Sequence, residues 1–131
     1  MSKNEVFIQF SIQDFKEKHS EITNYLGIEP SKTWSKGDLK TNKGVIRYKN
    51  NGWELKLKRD DVLHIDIVLE EILNILLPKK SKLINLDCGI KKISIVVYSK
   101  KLMPSFIYNY KVISFLNDTG IELDHDIYCL S

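Results

Sequence analysis

The apolar residues of this chain follow two different spacings, and that alternation limits the folds open to it. Val6, Ile8, Phe10 and Ile12 recur at every second position, which is typical of a strand with one buried face. Farther along, apolar residues recur at helical spacing, which indicates a helix with a wide core-facing stripe. The members of that stripe are Val62, Ile65, Leu69, Ile72, Leu73 and Leu76. Because both periods occur within 131 residues, we expect one α+β domain over residues 1–131.

Turn and helix-stop residues divide the rest of the first half. A helix is predicted over residues 14–26, and Gly27 is a natural C-terminal stop. Residues 31–43 are polar and are predicted to form an ordered loop. Residues 44–58 are predicted to form a β-hairpin that turns at Asn50-Asn51-Gly52, because Asn and Gly tolerate positive φ.

The second half begins with the strongest helix signal. Asp60 or Asp61 is expected to cap that helix, and Pro78 is expected to end it. The chain then predicts a central strand, a helix and a last strand, over residues 90–98, 110–117 and 121–128.

The predicted element order is β-α-β-β-α-β, followed by one more α-β pair. This order favours a ferredoxin-like α+β sandwich with an appended C-terminal α-β unit. We expect a mainly antiparallel sheet with helices on one face. The other face would be either open or covered by residues 31–43.

Charge is distributed unevenly along the chain. Residues 32–59 contain nine basic residues and two acids, a net charge of +7, whereas the whole chain carries only +3. Only two of the twenty basic residues are Arg, the residue whose planar fork reads phosphates and bases. A nucleic-acid partner is therefore disfavoured, and we expect another protein as the partner.

The basic segment supplies the first group of candidate binding residues. Its aromatic rings could stack on a partner, and its Gly-Asp pair could offer backbone N–H groups to an anion. Two alternatives stay open: Trp53 alternates with Leu55 and Leu57, which favours a core position, and the Gly-Asp pair lacks phosphate-loop spacing, which favours a turn. The candidates are Trp34, Lys36, Gly37, Asp38, Arg47, Tyr48 and Trp53.

The last predicted strand supplies the second group. Glu122, Asp124 and Asp126 share one strand face, where carboxylates could hold a cation or act as an acid/base pair. The alternative is that they are solvated or paired with lysines. Asp124, Asp126 and the nearby Tyr128 complete the candidate set.

The remaining reactive residue types form no recognisable motif. Cys88 and Cys129 have no metal-ligand spacing, so we expect two reduced, buried thiols. The histidines are far apart, and no nucleophile motif accompanies them. We therefore predict no catalytic residue, no metal site and no cofactor.

Two sequence features bear on location. The first residues lack the apolar segment of a signal peptide. The longest apolar stretch, residues 65–77, contains Asp66, Glu70 and Glu71, which argues against a membrane span. We therefore expect a cytoplasmic protein without a membrane partner.

A set of short motifs runs along the chain: residues 26–31 with Pro30, Trp34, Gly37-Asp38, Trp53-Glu54-Leu55, Pro104 and residues 123–128. In this order and spacing, they resemble the bacterial domain-of-unknown-function family numbered 4279. The resemblance covers nearly the whole chain. It implies no established activity, cofactor or catalytic residue. Relatives often have Arg after the Gly-Asp pair, where this chain mostly has Lys, and this difference weakens the case for a phosphate-gripping loop.

Three functional hypotheses remain. The first is a non-catalytic protein-binding module, in its specific form an immunity-type protein that neutralises a toxin. The second is a ferredoxin-like regulatory or small-ligand-binding domain, with a pocket holding Trp34 and Arg47 or a homodimer through a sheet face or edge. The third is an enzyme that uses Asp124 and Asp126.

Overall fold

Five strands form one sheet in a computed structural model that describes residues 2–130. They are β1 (Asn4–Gln13), β2 (Lys32–Trp34), β3 (Gly52–Asp60), β4 (Ile90–Ser99) and β5 (Glu122–Cys129). Their order across the sheet is β2-β3-β1-β4-β5. β4 and β5 run parallel, whereas the other three neighbouring pairs are antiparallel. The predicted α+β class with a mainly antiparallel sheet is confirmed.

The four α-helices pack against the same face of the sheet. Val6, Ile8, Phe10 and Ile12 on that face of β1 are 0% exposed and share one core cluster with the buried residues of every helix. Trp34 and Val96 are buried but lie outside this cluster. Within residues 2–130, the opposite face is therefore not covered by a helix. The helices are α1 (His19–Leu26), α2 (Ile65–Leu76), α3 (Lys80–Ile84) and α4 (Tyr110–Thr119).

The hairpin predicted over residues 44–58 is wrong. β3 pairs with β2, in the register Thr33↔Trp53 and Trp34↔Gly52, and residues 35–51 lie between the two strands. Residues 50–52 do not form the predicted hairpin turn. Gly52 is instead the first residue of β3 and lies under the Trp34 ring. Part of the predicted 31–43 loop is consequently a strand.

Two predicted helix starts are also corrected. α1 begins at His19 rather than at Asp14, whose φ of 60° is left-handed. α2 begins at Ile65 instead of directly after Asp61. The Asp61 carboxylate accepts a hydrogen bond from the backbone N–H of Lys3 at 2.6 Å, so this side chain holds the segment before β1 rather than capping a helix.

Pro78 ends α2 as predicted, because this α-helix stops at Leu76, two residues earlier. It lies in the first turn of a 3₁₀ helix, Leu77–Lys79, where its missing N–H removes no helical hydrogen bond. α3 follows directly. The sequence did not predict this continuation, because proline interrupts an α-helix but is tolerated in the first turn of a new one.

The C-terminal elements match the prediction to within two residues at each boundary. β4 lies between β1 and β5, as expected for a strand with two apolar faces. α4 is capped by Asn109, whose side-chain oxygen accepts a hydrogen bond from the Val112 N–H at 3.0 Å. None of the helices in residues 2–130 has the length and apolar character needed to cross a membrane.

Candidate functional site

The helix-free side of the sheet, here called the open face, gathers residues from all five strands. Cross-strand partners point to the same side of a sheet, so the strand register identifies its members. β2 and β3 contribute Lys32, Trp34, Glu54, Lys56 and Lys58; β1 contributes Phe7, Gln9 and Ser11; β4 and β5 contribute Lys92, Ser94, Val96, Tyr98, Glu122, Asp124, Asp126 and Tyr128. Two groups of candidate residues thus lie at opposite borders of one surface.

At the β2 border, Trp34 and Tyr48 form a stacked pair. Their ring centroids are 4.7 Å apart and their planes differ by 20°. The Lys32 ammonium donates a hydrogen bond to the Tyr48 hydroxyl at 3.0 Å, and this bond raises the pKa of Lys32. The Trp34 ring sits where a side chain at Gly52 would be, so only 9% of the residue stays exposed. Trp34 therefore supports the surface, and Tyr48 and Lys32 form its outer layer.

Residues 35–51, here called the basic hairpin, fold back on themselves beyond this stack. The Tyr48 N–H donates to the Asp38 carbonyl at 2.8 Å, and the Tyr48 carbonyl accepts from the Gly37 N–H at 2.9 Å. The Arg47 guanidinium donates to the Gly37 carbonyl at 2.8 Å. The Asp38 carboxylate accepts from the Ser35 N–H at 2.8 Å. Gly37 and Asp38 thus form a structural turn, and Arg47 braces it.

The tip of the basic hairpin exposes two branched apolar side chains. Val45 is 89% exposed and Ile46 is 66% exposed. Lys43 and Arg47 flank them, and Lys36 is also exposed. Sequence reasoning missed this exposure, because Val45 and Ile46 resemble part of a strand that would bury one of them.

At the β5 border, the predicted acidic residues are solvent-exposed. Asp124 lies beside Ser94 and Asp126 beside Val96 in the parallel register. Neither carboxylate forms an ion pair with another of the residues that the structure describes. Tyr128 stacks on Tyr98 with ring centroids 5.0 Å apart.

Phe7 extends this second aromatic group toward the centre of the sheet. Its ring meets Tyr98 edge-on at 5.9 Å, and the ammonium groups of Lys56 and Lys58 lie over it. In the sequence, Phe7 is visible only as a residue that alternates with the buried positions of β1. That alternation was the available signal, since it places the Phe7 ring on the sheet face opposite the buried residues of β1.

Trp53 is not part of the surface. It is 0% exposed, and its indole N–H donates to the Thr23 hydroxyl at 3.0 Å. The core interpretation of Trp53 is the correct one, and its ring cannot stack on a partner. The rest of the first candidate group lies together at the β2 border.

Glu54 is the carboxylate of the open face that lies next to the basic residues of β2 and β3. Partial burial raises its pKa, and the nearby Lys56 and Lys32 oppose that increase. Its ionised form is therefore less well solvated than that of an ordinary surface glutamate. No signal in the sequence marked Glu54, because its environment arises only when β2 pairs with β3.

Surface grooves, possible metal ligands and thiols are the remaining features that bear on the small-ligand and enzyme hypotheses. Four surface grooves of about 270–490 Å³ are lined by residues other than Trp34, Arg47, Asp124 and Asp126. Within residues 2–130, no three His, Cys, Asp or Glu side chains come close enough together to hold a metal ion. Of the two free cysteines, Cys88 is half-buried and Cys129 is exposed, so the expectation of two buried thiols is corrected.

The molecule is thus an α+β protein whose helices cover one side of a mixed five-stranded sheet and whose other side carries segregated charge and aromatic residues. The family model described as "Domain of unknown function (DUF4279)" matches residues 4–130, and the chain belongs to that family. The resemblance inferred from the motifs is thereby confirmed. Neither the search of curated proteins nor the search of solved structures found a match.

Proposed function

We propose that this chain is a non-catalytic protein-binding module that engages its partner through the tip of the basic hairpin. The observation that carries this proposal is the exposure of Val45 (89%) and Ile46 (66%) within a strongly basic segment. Burial of such exposed apolar side chains by a partner is favourable in free energy. The surrounding lysines favour a partner whose surface combines an apolar cleft with acidic residues.

The basic hairpin is an ordered segment that holds its tip in a defined position. Its two arms are joined by backbone hydrogen bonds, and its base is held by the Trp34–Tyr48 stack. A loop that is ordered before binding loses less conformational entropy on association. The basic side chains steer an acidic partner toward the tip and raise the association rate.

The specific form that we propose is an immunity-type protein in the cytoplasm, which binds a toxin and blocks it. Support for this form is electrostatic. Fast, charge-guided association suits a neutraliser that must bind before its target acts, and the +7 segment provides the field for it. The two free thiols are in keeping with a reducing compartment.

In-cell photo-crosslinking tests the proposal. A benzophenone amino acid at position 45 is expected to give one dominant adduct with a different, acidic protein. The matched control places the same group at Ile113, which is 57% exposed on α4, and should give no such adduct. Crosslinking of position 45 only to a second copy of the chain, or equal adducts from both positions, would refute the proposal.

The captured protein then allows a quantitative test. Val45→Asp/Ile46→Asp should weaken its binding at least tenfold, because burying the tip would then require the desolvation of two carboxylates. Ile113→Asp should leave the affinity unchanged. For the immunity-type form, co-expression of the chain should relieve growth inhibition by the captured protein, and the double variant should not.

We also propose a ferredoxin-like core with an appended C-terminal unit. β1 and β2 are connected through α1 and run parallel, with β3 between them. β3 and β4 are connected through α2 and also run parallel, with β1 between them. Two such interleaved split β-α-β units characterise that fold. α4 and β5 would then be the appended pair.

A further inference from the structure

One row of the open face carries an ordered series of charges. Register partners place Lys32, Glu54, Ser11, Lys92 and Glu122 side by side, on β2, β3, β1, β4 and β5 respectively. The signs across the sheet are positive, negative, neutral, positive and negative. The same row read in the opposite direction has the opposite sign at every charged position. The row is therefore complementary to its own reversed copy.

A two-fold axis parallel to β1 produces that reversal. Two sheets related by this axis, face to face, place β2 over β5, β3 over β4 and β1 over itself. Lys32 then meets Glu122 and Glu54 meets Lys92, and each contact occurs twice. A two-fold axis across the strands would instead place β2 over β2 and oppose like charges. The charge pattern thus selects one of the two symmetric arrangements.

The two neighbouring rows each carry a lysine on β3 and a carboxylate on β5. Lys56 on β3 shares a row with Asp124 on β5, and Lys58 shares a row with Asp126. Under the same axis, the basic β3 half of one copy lies over the β4–β5 half that carries these carboxylates. This arrangement brings cationic side chains of the second copy toward Asp124 and Asp126.

The aromatic residues add an apolar contact. Phe7, Tyr98 and Tyr128 lie at one end of the strands, near the start of β1 and the end of β4 and β5. An axis parallel to the strands keeps that end in place, so Phe7 on β1 of one copy lies over Phe7 of the other, and Tyr98 on β4 lies over the β3 position of the same row, Asp60. Aromatic side chains dominate the energetics of such interfaces.

The size of the open face suits a dimer. Nine residue steps of about 3.3 Å and four strand spacings of about 4.8 Å give a surface of roughly 30 by 20 Å. Pairing two such faces buries about 1,200 Å² in total, at the lower end of the standard range for specific interfaces.

From these observations we infer that two copies of this chain associate through their open faces, about a two-fold axis parallel to β1, with Glu54 of each copy paired with Lys92 of the other. The occupant of the face is thus a second copy of the chain. This dimer does not depend on which partner binds at the hairpin tip.

Sedimentation and light scattering of charge variants test this dimer. The wild type should be a dimer whose dissociation constant rises with salt. Lys92→Glu and Glu54→Lys should each weaken self-association at least tenfold, because each places like charges opposite one another. Ile113→Asp, on the helix side, is the control and should dimerise as the wild type does.

Mixing the two variants distinguishes this geometry from a loss of folding. In the mixed dimer, the carboxylates at positions 54 and 92 of the Lys92→Glu chain face the ammonium groups at positions 92 and 54 of the Glu54→Lys chain. Both charge pairs are then restored, so an equimolar mixture should regain the dimer. A mixture that stays monomeric, variants that dimerise like the wild type, or a wild type that is still monomeric at millimolar concentration would each overturn the inference.

Crosslinking at the axis gives an independent measurement. Gln9 lies at the middle of β1, so position 9 should face its own copy in the dimer. In a Cys88→Ser/Cys129→Ser background, Gln9→Cys should be joined efficiently by a short bifunctional maleimide. Ile113→Cys should not, and equal crosslinking of both would contradict the assignment of the face.

Discussion

At the scale of single residues, Gly52 is explained by close packing. The sequence suggested a turn glycine, whereas the structure places the Trp34 ring against this position. A Cβ built there would lie 1.8 Å from a carbon of the Trp34 ring. Gly52→Ala should therefore displace that ring and destabilise the fold by about 1–3 kcal/mol, the usual cost of overpacking. Chemical denaturation measures the loss.

A double-mutant cycle controls this prediction. In the Trp34→Ala background the ring is absent, so Gly52→Ala should destabilise much less than in the wild type. An equal loss in both backgrounds would mean that backbone conformation, not the ring, requires glycine at this position.

Asn4 is a second position where one side chain joins distant segments. It is 1% exposed, its amide donates to the Val62 carbonyl at 2.9 Å, and its oxygen accepts from the Val62 N–H at 2.8 Å. Asn4→Ala should destabilise the protein by about 2–4 kcal/mol, because it leaves buried backbone groups without partners. Unfolding curves would show this, with Asn74→Ala on the exposed side of α2 as the control; similar losses from the two would contradict the argument.

Glu54 should make stability depend on pH in a direction opposite to that of most carboxylates. Burial raises its folded-state pKa above the ordinary value of 4.5. A raised carboxyl pKa means that its contribution to stability is fully present below the unfolded pKa and is lost as the pH rises through the folded pKa. Relative to Glu54→Gln, the wild type should therefore be more stable near pH 4 than near pH 7.

The measurement is a comparison of denaturation midpoints for the two proteins at both pH values, in the monomeric Lys92→Glu background. An NMR titration of the Glu54 carboxyl reports its pKa directly. A pKa below 4.5, or a stability advantage over the glutamine variant that grows with pH, would refute the prediction.

At the scale of elements, the basic hairpin depends on Asn51 at its base. The Asn51 side-chain oxygen accepts from the Lys36 N–H at 2.8 Å, and its amide donates to the Phe15 carbonyl at 3.2 Å. Asn51→Ala should loosen residues 35–51 while leaving the core intact. Hydrogen exchange should become faster in peptides from the hairpin but not in those from β1 or β4.

Asn50→Ala is the matched control, since the neighbouring side chain makes none of the bonds described for Asn51. Unchanged exchange in the hairpin of Asn51→Ala would show that the Trp34–Tyr48 stack alone orders it. Faster exchange throughout the protein would instead make Asn51 a residue of global stability.

The edge strands also show how local features control association. β5 is an eight-residue edge strand, and such edges invite pairing with other chains unless they are protected. Its alternating carboxylates oppose that pairing by like-charge repulsion. At the opposite edge, β2 is only three residues long, which limits what can add to it.

At the scale of the whole molecule, one core joins every helix to the sheet. Val112 and Phe115 from α4 belong to the same cluster as Ile22 from α1 and Leu83 from α3. The C-terminal α-β pair should therefore unfold together with the rest. Tryptophan fluorescence and far-ultraviolet circular dichroism should show one coincident transition, and separate midpoints would contradict the prediction of a single domain.

Much of the fold could be predicted because periodicity is a local property. The alternation in β1, the apolar stripe of α2 and the stop at Gly27 are each encoded within a few residues. The errors lie where a distant residue decides the outcome. Gly52 follows two asparagines and therefore resembles a turn glycine in the sequence. Its close approach to Trp34 arises only when β2 pairs with β3.

Some features of the candidate site could also be predicted from the sequence, whereas others depend on the fold. The basic segment, the alternating carboxylates of β5 and the aromatic residues follow from the sequence alone, since these are matters of composition and spacing. The burial of Trp53, the exposure of Val45 and Ile46, and the single row formed by Lys32, Glu54, Lys92 and Glu122 emerge only in the folded chain. The physical reason is that exposure and charge order across a sheet depend on strand pairing, which joins residues far apart in the chain.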